Sequence, residues 1–181
     1  MTSIEKIAQV DVPSLHIIKY PDPRLKEVCT PLEKVDPAAL RPLIDKMFEL
    51  MYAAKGVGLA ANQVGLTVRL FVASPSFEQD DRRVYINPRI LSVDGWEEHE
   101  EGCLSLPGAN GKIKRHSTVT IEATDLDGNA FQETGTDLLA RIFQHESDHL
   151  NGQLIMDKMG SVAKLANRRI FKDLEEGYDG R

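Results

Sequence analysis

The run His145-Glu146-Ser147-Asp148-His149 constrains this chain more than any other stretch of it. At about 100° per residue, the two imidazoles lie about 40° apart around a helix axis and so share one face. Leu138, Leu139 and Ile142 fall on the same side, which turns the pair toward the interior. Neutral imidazoles facing an apolar interior need partners. A divalent metal satisfies both at once and places the intervening carboxylate beside its water. Two core histidines satisfied by backbone groups are the plainer reading, and the glutamate at this spacing disfavours it. The pattern predicts a helix that starts after Thr136 and runs through Leu150, stopped by Asn151-Gly152.

Two imidazoles do not complete a metal site. No histidine follows His149, so the third donor is open among Cys103, Cys29, His16, His99, His116 and a carboxylate. Cys103 sits in Glu101-Gly102-Cys103-Leu104-Ser105, where glycine permits close backbone approach and a thiolate would be a strong ligand. Cys29, between Val28 and Thr30, reads as a small buried apolar side chain. Two cysteines allow at most one bridge, and two free thiols in a reducing cytosol is the expectation.

A further cluster, Gly56-Val57-Gly58-Leu59-Ala60-Ala61-Asn62-Gln63, matches a dinucleotide fingerprint only superficially. That fingerprint needs a strand before it and a helix after it. Here a helix precedes it and a strand follows, so a nucleotide site is rejected. What stays open is a connecting turn, or a backbone that approaches a ligand closely with Gln63 offering a side-chain N–H.

Around these clusters the chain reads as helix, then strands, then helices, which argues for α+β. Asp36 caps a first helix with Pro37 at its start, and Leu40, Leu43, Ile44, Met47, Leu50 and Met51 form its apolar face. Short β-branched runs at 68–73, 84–87, 90–93, 117–123 and 130–133 read as strands, with a tight turn at 125–129. A last helix spans about Ser161 to Glu176. No linker divides the 181 residues, so one catalytic domain, 1–181, is expected, with about 160–181 as C-terminal helix and tail. The net charge of -6, from 22 Lys+Arg against 28 Asp+Glu, excludes nucleic acid as the main ligand. The first residues lack the apolar block of a secretory signal, and no apolar run approaches the roughly 18 residues of a membrane span. A cytoplasmic protein with no membrane partner is expected.

Taken together, the motifs resemble those of peptide deformylases. G-x-G-x-A-A-x-Q stands at Gly56 to Gln63, E-G-C-x-S at Glu101 to Ser105, and Q-H-E-x-D-H-x-x-G at Gln144 to Gly152. Tyr20-Pro21-Asp22-Pro23-Arg24-Leu25 and the helical C-terminus look like the bacterial form. The resemblance implies an α+β fold with antiparallel sheets around a central helix carrying the metal motif. It implies that Cys103, His145 and His149 bind one divalent metal ion, natively Fe2+, with Zn2+, Ni2+ or Co2+ able to substitute. Glu146 would be the general acid/base, with Gln63 and the backbone N–H of Leu104 receiving the oxyanion. Val57, Gly58, Leu138 and Ile142 would bind substrate. The implied reaction removes the formyl group from N-formyl-methionyl nascent peptides and releases formate.

Glu101 and Arg115 read as a buried ion pair bracing the cysteine loop or as two unrelated surface charges, and Arg141 as lying at the pocket mouth or on the surface. His99 stands where the family often has an apolar pocket residue. Lys164, Arg168, Arg169 and Lys172 read as a solvated helix face, with contact to the ribosome exit region as the functional alternative. A zinc endopeptidase would need a downstream ligand that is missing here. A purely structural metal site would need four protein ligands where three are found.

Overall fold

The computed structural model describes residues 2–180. It opens with a short helix that the sequence pattern did not reveal, α1 (Ser3–Ala8), where Thr2 and Glu5 each bond the other's backbone amide. Helix α2 (Pro37–Ala53) starts as expected, with Asp36 accepting from the amides of Ala38 and Ala39. Its apolar face, including Met47 and Phe48, packs with Leu59, Leu70 and the buried Ile4 and Ile7 of α1.

Among the described residues seven strands follow: β1 (Gly58–Ala60), β2 (Leu70–Ala73), β3 (Arg83–Asp94), β4 (Glu97–Gly102), β5 (Asn110–Arg115), β6 (Thr118–Thr124) and β7 (Ala130–Thr136). Every strand pairing is antiparallel. One sheet has the order β1-β2-β3-β6-β7, and β4 pairs with β5 in a second, two-stranded sheet. In β6 alternate residues Val119, Ile121 and Ala123 are buried, as the period of two requires.

The strand expectations differ from the structure in three places, the first being β1, a three-residue strand inside the Gly56–Gln63 cluster. The runs at 84–87 and 90–93 are one strand, β3, which passes through Pro88 because the register shifts between Ile86 and Arg89. A proline has no N–H to give the ladder, and an irregularity is where a strand tolerates one. Strands β4 and β5 escaped the pattern because their inward positions are mostly not apolar. The buried residues of β5 are Gly111, Ile113 and Arg115, so only one hydrophobic side chain marks its inner face.

Helix α3 (Asp137–Leu150) then crosses the large sheet. Tyr85 fixes it there, stacked on Phe71 at 4.6 Å between centroids and edge-on to Phe143 at 5.3 Å. Helices α4 (Ile155–Lys158) and α5 (Ser161–Glu176) complete the described chain. With β5 and the segment around Leu25 they enclose a further apolar cluster containing Leu106, Leu154 and Met159. Cys103 belongs to this cluster, and Ile142 to the one between α3 and the sheet. The chemistry-bearing side chains lie where the two meet.

Candidate active site

Helix α3 presents His145 and His149 on one face, as its spacing dictates. Strand β4 ends at Gly102, and a turn closed by Leu106 N–H on Cys103 O swings Cys103 over that face. Cys103 Sγ comes within 3.3 Å of His149 Nε2, which is 3.2 Å from His145 Nε2. All three donor atoms lie within 4.8 Å of one another. Two imidazole nitrogens and a sulfur converge on one point, an arrangement of ligand atoms that a divalent cation satisfies all at once.

The orientation of His145 has a visible cause. Glu101 Oε2 sits 3.1 Å from its Nδ1, which leaves Nε2 free for a ligand. Glu101 is in turn gripped by Arg115, with Nε to Oε1 at 2.8 Å and Nη2 to Oε2 at 2.9 Å. Arg141 Nη1 adds a contact of 2.6 Å to Oε1. Burial pushes the Glu101 carboxyl up, but Arg115 and His145 together hold it well below the usual carboxylate range. Arg115 also bonds Asp148 Oδ2 at 2.6 Å, so one charged network spans β4, β5 and α3. Glu101 and Arg115 thus form the buried ion pair rather than two unrelated surface charges. Arg141 is neither a surface nor a freely solvated side chain: it is 8% exposed and also bonds Glu97 Oε1 at 3.1 Å.

Glu146 points from the same helix into the site and is 3% exposed, with Oε2 buried and unbonded among the described residues. Burial pushes its carboxyl up to about 7, against the pull of the neighbouring His145 and Arg115 charges. Gly58 on β1 backs directly onto this carboxylate. Gln63 lies in the turn after β1, where its Oε1 accepts from Ala60 N–H at 2.9 Å. That bond aims Nε2 at Ser105 Oγ, 3.1 Å away, and toward Cys103 Sγ at 3.7 Å. A cavity of about 970 Å3 opens over these groups, with Val57, Gly58, Leu104, Leu138 and Ile142 in its wall.

The remaining donors considered from the sequence lie elsewhere. Cys29 is buried among Ala60, Phe71 and Leu150, and burial pushes its thiol up to about 11. His99 projects outward with its side chain 63% exposed, facing Glu97 rather than the cavity. His116 stacks against Trp96, and His16 is exposed beside Ser14. Sequence reasoning gave no role to Ser105, Asp148 or Asn62. Ser105 and Asp148 were visible as fixed positions of the motifs, whereas Asn62 occupies a variable one. Asn62 Nδ2 donates to the His149 carbonyl at 2.7 Å.

Comparison with known proteins agrees with this geometry. The polypeptide deformylase family profile matches residues 14–165. The chain is 49% identical over 162 residues to the peptide deformylase of Chromobacterium violaceum, covering 90% of this chain and 96% of that one. It is 45% identical over 165 residues to the peptide deformylase of Pseudomonas aeruginosa, covering 91% and 96%. Among solved structures, peptide deformylase from Plasmodium falciparum superposes with a TM-score of 0.86 at 38% identity, covering 90% of this chain and 96% of that one. A plant peptide deformylase gives 0.87 at 38% identity, covering 92% and 91%.

Proposed function

The chain belongs to the peptide deformylase family and removes the N-formyl group from nascent peptides, and on that premise we propose which residues carry the reaction. Cys103, His145 and His149 hold one divalent metal ion. The observation that carries this reading is the convergence of their donor atoms beside a buried, unbonded carboxylate. When bound, the ion polarises the formyl oxygen and lowers the pKa of water in the site. Three protein ligands leave a position open for that chemistry, as a hydrolytic site requires.

Glu146 takes a proton from the attacking water as the new C–O bond forms, and returns it to the departing amine as the C–N bond breaks. Its carboxylate is buried beside the ligand atoms with Oε2 unbonded, which leaves that oxygen available for both transfers. Negative charge grows on the formyl oxygen during attack. Gln63 Nε2 and the backbone N–H of Leu104 donate to it, each worth about 3 kcal/mol in the transition state. Val57, Leu138 and Ile142 hold the methionine side chain, and Gly58 offers its backbone to the peptide. Their positions in the wall of the cavity support those roles.

We propose Fe2+ as the native ion, with Zn2+, Ni2+ or Co2+ able to replace it. A thiolate with two imidazoles accepts each of these. Residues 1–181 act as one catalytic domain, a reading supported by the packing of Ile170 and Phe171 of α5 on the Cys103 cluster. No described helix is long and apolar enough to cross a membrane. A cytoplasmic location is proposed, because the soft thiolate ligand calls for reducing surroundings. The exposed Lys164, Arg168, Arg169 and Lys172 of α5 make the ribosome exit region a candidate partner, testable by co-sedimentation. Anaerobic purification with metal analysis and a formate-release assay tests the main reading. A short formyl-Met peptide should release formate while its unformylated counterpart stays intact, and preferential cleavage of the latter would indicate an endopeptidase.

A further inference from the structure

The two histidines of α3 differ in what stands behind them. His145 has Glu101 at its Nδ1. His149 is 1% exposed and turns Nε2 toward Cys103 and His145, while its Nδ1 is buried with no hydrogen-bond partner among the described residues. An imidazole that offers Nε2 to a cation carries its proton on Nδ1, so this atom is a donor. A donor buried without an acceptor is costly, and native interiors rarely leave one.

An acceptor on a residue bonded to His149 is left over in the same way. Asn62 is fully buried, and its Nδ2 donates to the His149 carbonyl at 2.7 Å. That carbonyl only accepts, so the amide cannot be reversed, and Oδ1 remains buried and without a partner among the described residues. An orphaned donor and an orphaned acceptor thus stand on two residues already tied by a hydrogen bond. We infer that Asn62 is the positioning residue of His149, acting through a buried water that accepts from His149 Nδ1 and donates to Asn62 Oδ1. Two such groups are the minimum that holds a water in a protein interior. The assignment rests on the reading of Cys103, His145 and His149 as ligands. It gives His149 the outer partner that Glu101 provides for His145, and it places that partner one residue before Gln63. The turn Ala61–Val64 then serves the oxyanion donor and the metal ligand together.

Two measurements test this. Asn62→Leu keeps the side-chain volume and removes both polar atoms. The folded variant should bind its metal about 10–100-fold more weakly than the wild type in a chelator competition, as loss of a partner behind a ligand generally costs. Its turnover per bound metal should change far less. A crystal structure of the metal-loaded wild type should show an ordered water within about 3.2 Å of both atoms. This second measurement decides the matter even where the variant fails to fold. The proposal is overturned by a wild-type structure with no water touching both atoms, or by a folded variant that keeps its metal affinity within about twofold. A wild type that takes up no metal would overturn the ligand reading as well, which separates the two failures.

Discussion

Gly58 and Glu146 stand in such close contact that a methyl group at Gly58 would overlap the Glu146 carboxylate. The glycine sits on β1, the edge strand of the large sheet, and the carboxylate on α3, so the contact sets how near the helix comes to the cavity wall. Gly58→Ala should displace the carboxylate by about 1 Å and lower kcat roughly 100-fold with metal content unchanged. Steady-state kinetics with metal analysis of the same sample check this, and a variant with full kcat would show that the carboxylate tolerates the shift.

Gln63 is held from both ends, by Ala60 N–H on its oxygen and by Ser105 beneath its nitrogen. Gln63→Leu removes the donor and should lower kcat by about 100-fold or more, with KM changed much less. Ser105→Ala leaves the donor in place but unsupported, and a smaller loss is expected. Equal losses in the two variants would mean that Ser105 acts on the substrate directly.

Glu101 neutralises Arg115 and Arg141 in the interior while fixing the ring of His145. Glu101→Gln leaves two buried guanidinium groups short of a counter-charge, at a cost of about 3–5 kcal/mol. At about 2–4 °C per kcal/mol for a chain of this size, Tm should fall by roughly 6–20 °C. Calorimetry of the metal-free and metal-loaded forms reads the effect, which should persist without metal if the ion pairs are its source.

These particulars show what was and was not legible in the sequence. The helix carrying His145 and His149, the cap at Asp36 and the last helix follow from short-range patterns of a kind one chain displays: period, cap and stop. Cys103 could be nominated as a ligand from its glycine-flanked thiol, but only the fold brings it over α3. The network around Glu101 was half visible. Arg141 lies on α3 one turn before His145, and nothing in its own neighbourhood signals that Glu97 and Glu101 on a distant strand will bury it. Strand β5 was hidden because glycine and charge flank Ile113 on its inner face, leaving a single apolar side chain there. Long-range charge pairing and buried polar positions leave no periodic trace.

The last helix is tied to the body of the protein by Tyr20, whose hydroxyl donates to Glu175 Oε1 at 2.5 Å and whose ring meets Phe171 edge-on. The Glu175 carboxylate, with some burial, pushes the Tyr20 hydroxyl up to about 12. A folded-state pKa above the usual value of 10 means that the contribution is complete below pH 10 and is lost as pH rises toward 12. Wild type should therefore be more stable than Tyr20→Phe at neutral pH, and the gap should close between pH 10 and 12. Denaturant midpoints measured for both proteins across that range check it. A gap independent of pH would assign the difference to packing alone.

The central claim is that Glu146 moves the protons of a hydrolysis whose metal is held by other residues. Its most direct measurement is formate release by Glu146→Gln from a formyl-Met peptide, with metal content determined on the same preparation. The variant should retain about one metal ion per chain, as three untouched ligands imply. Its kcat should fall by about 10²–10⁴-fold, the usual contribution of a general acid/base. A metal-loaded variant that releases formate at the wild-type rate would contradict the account.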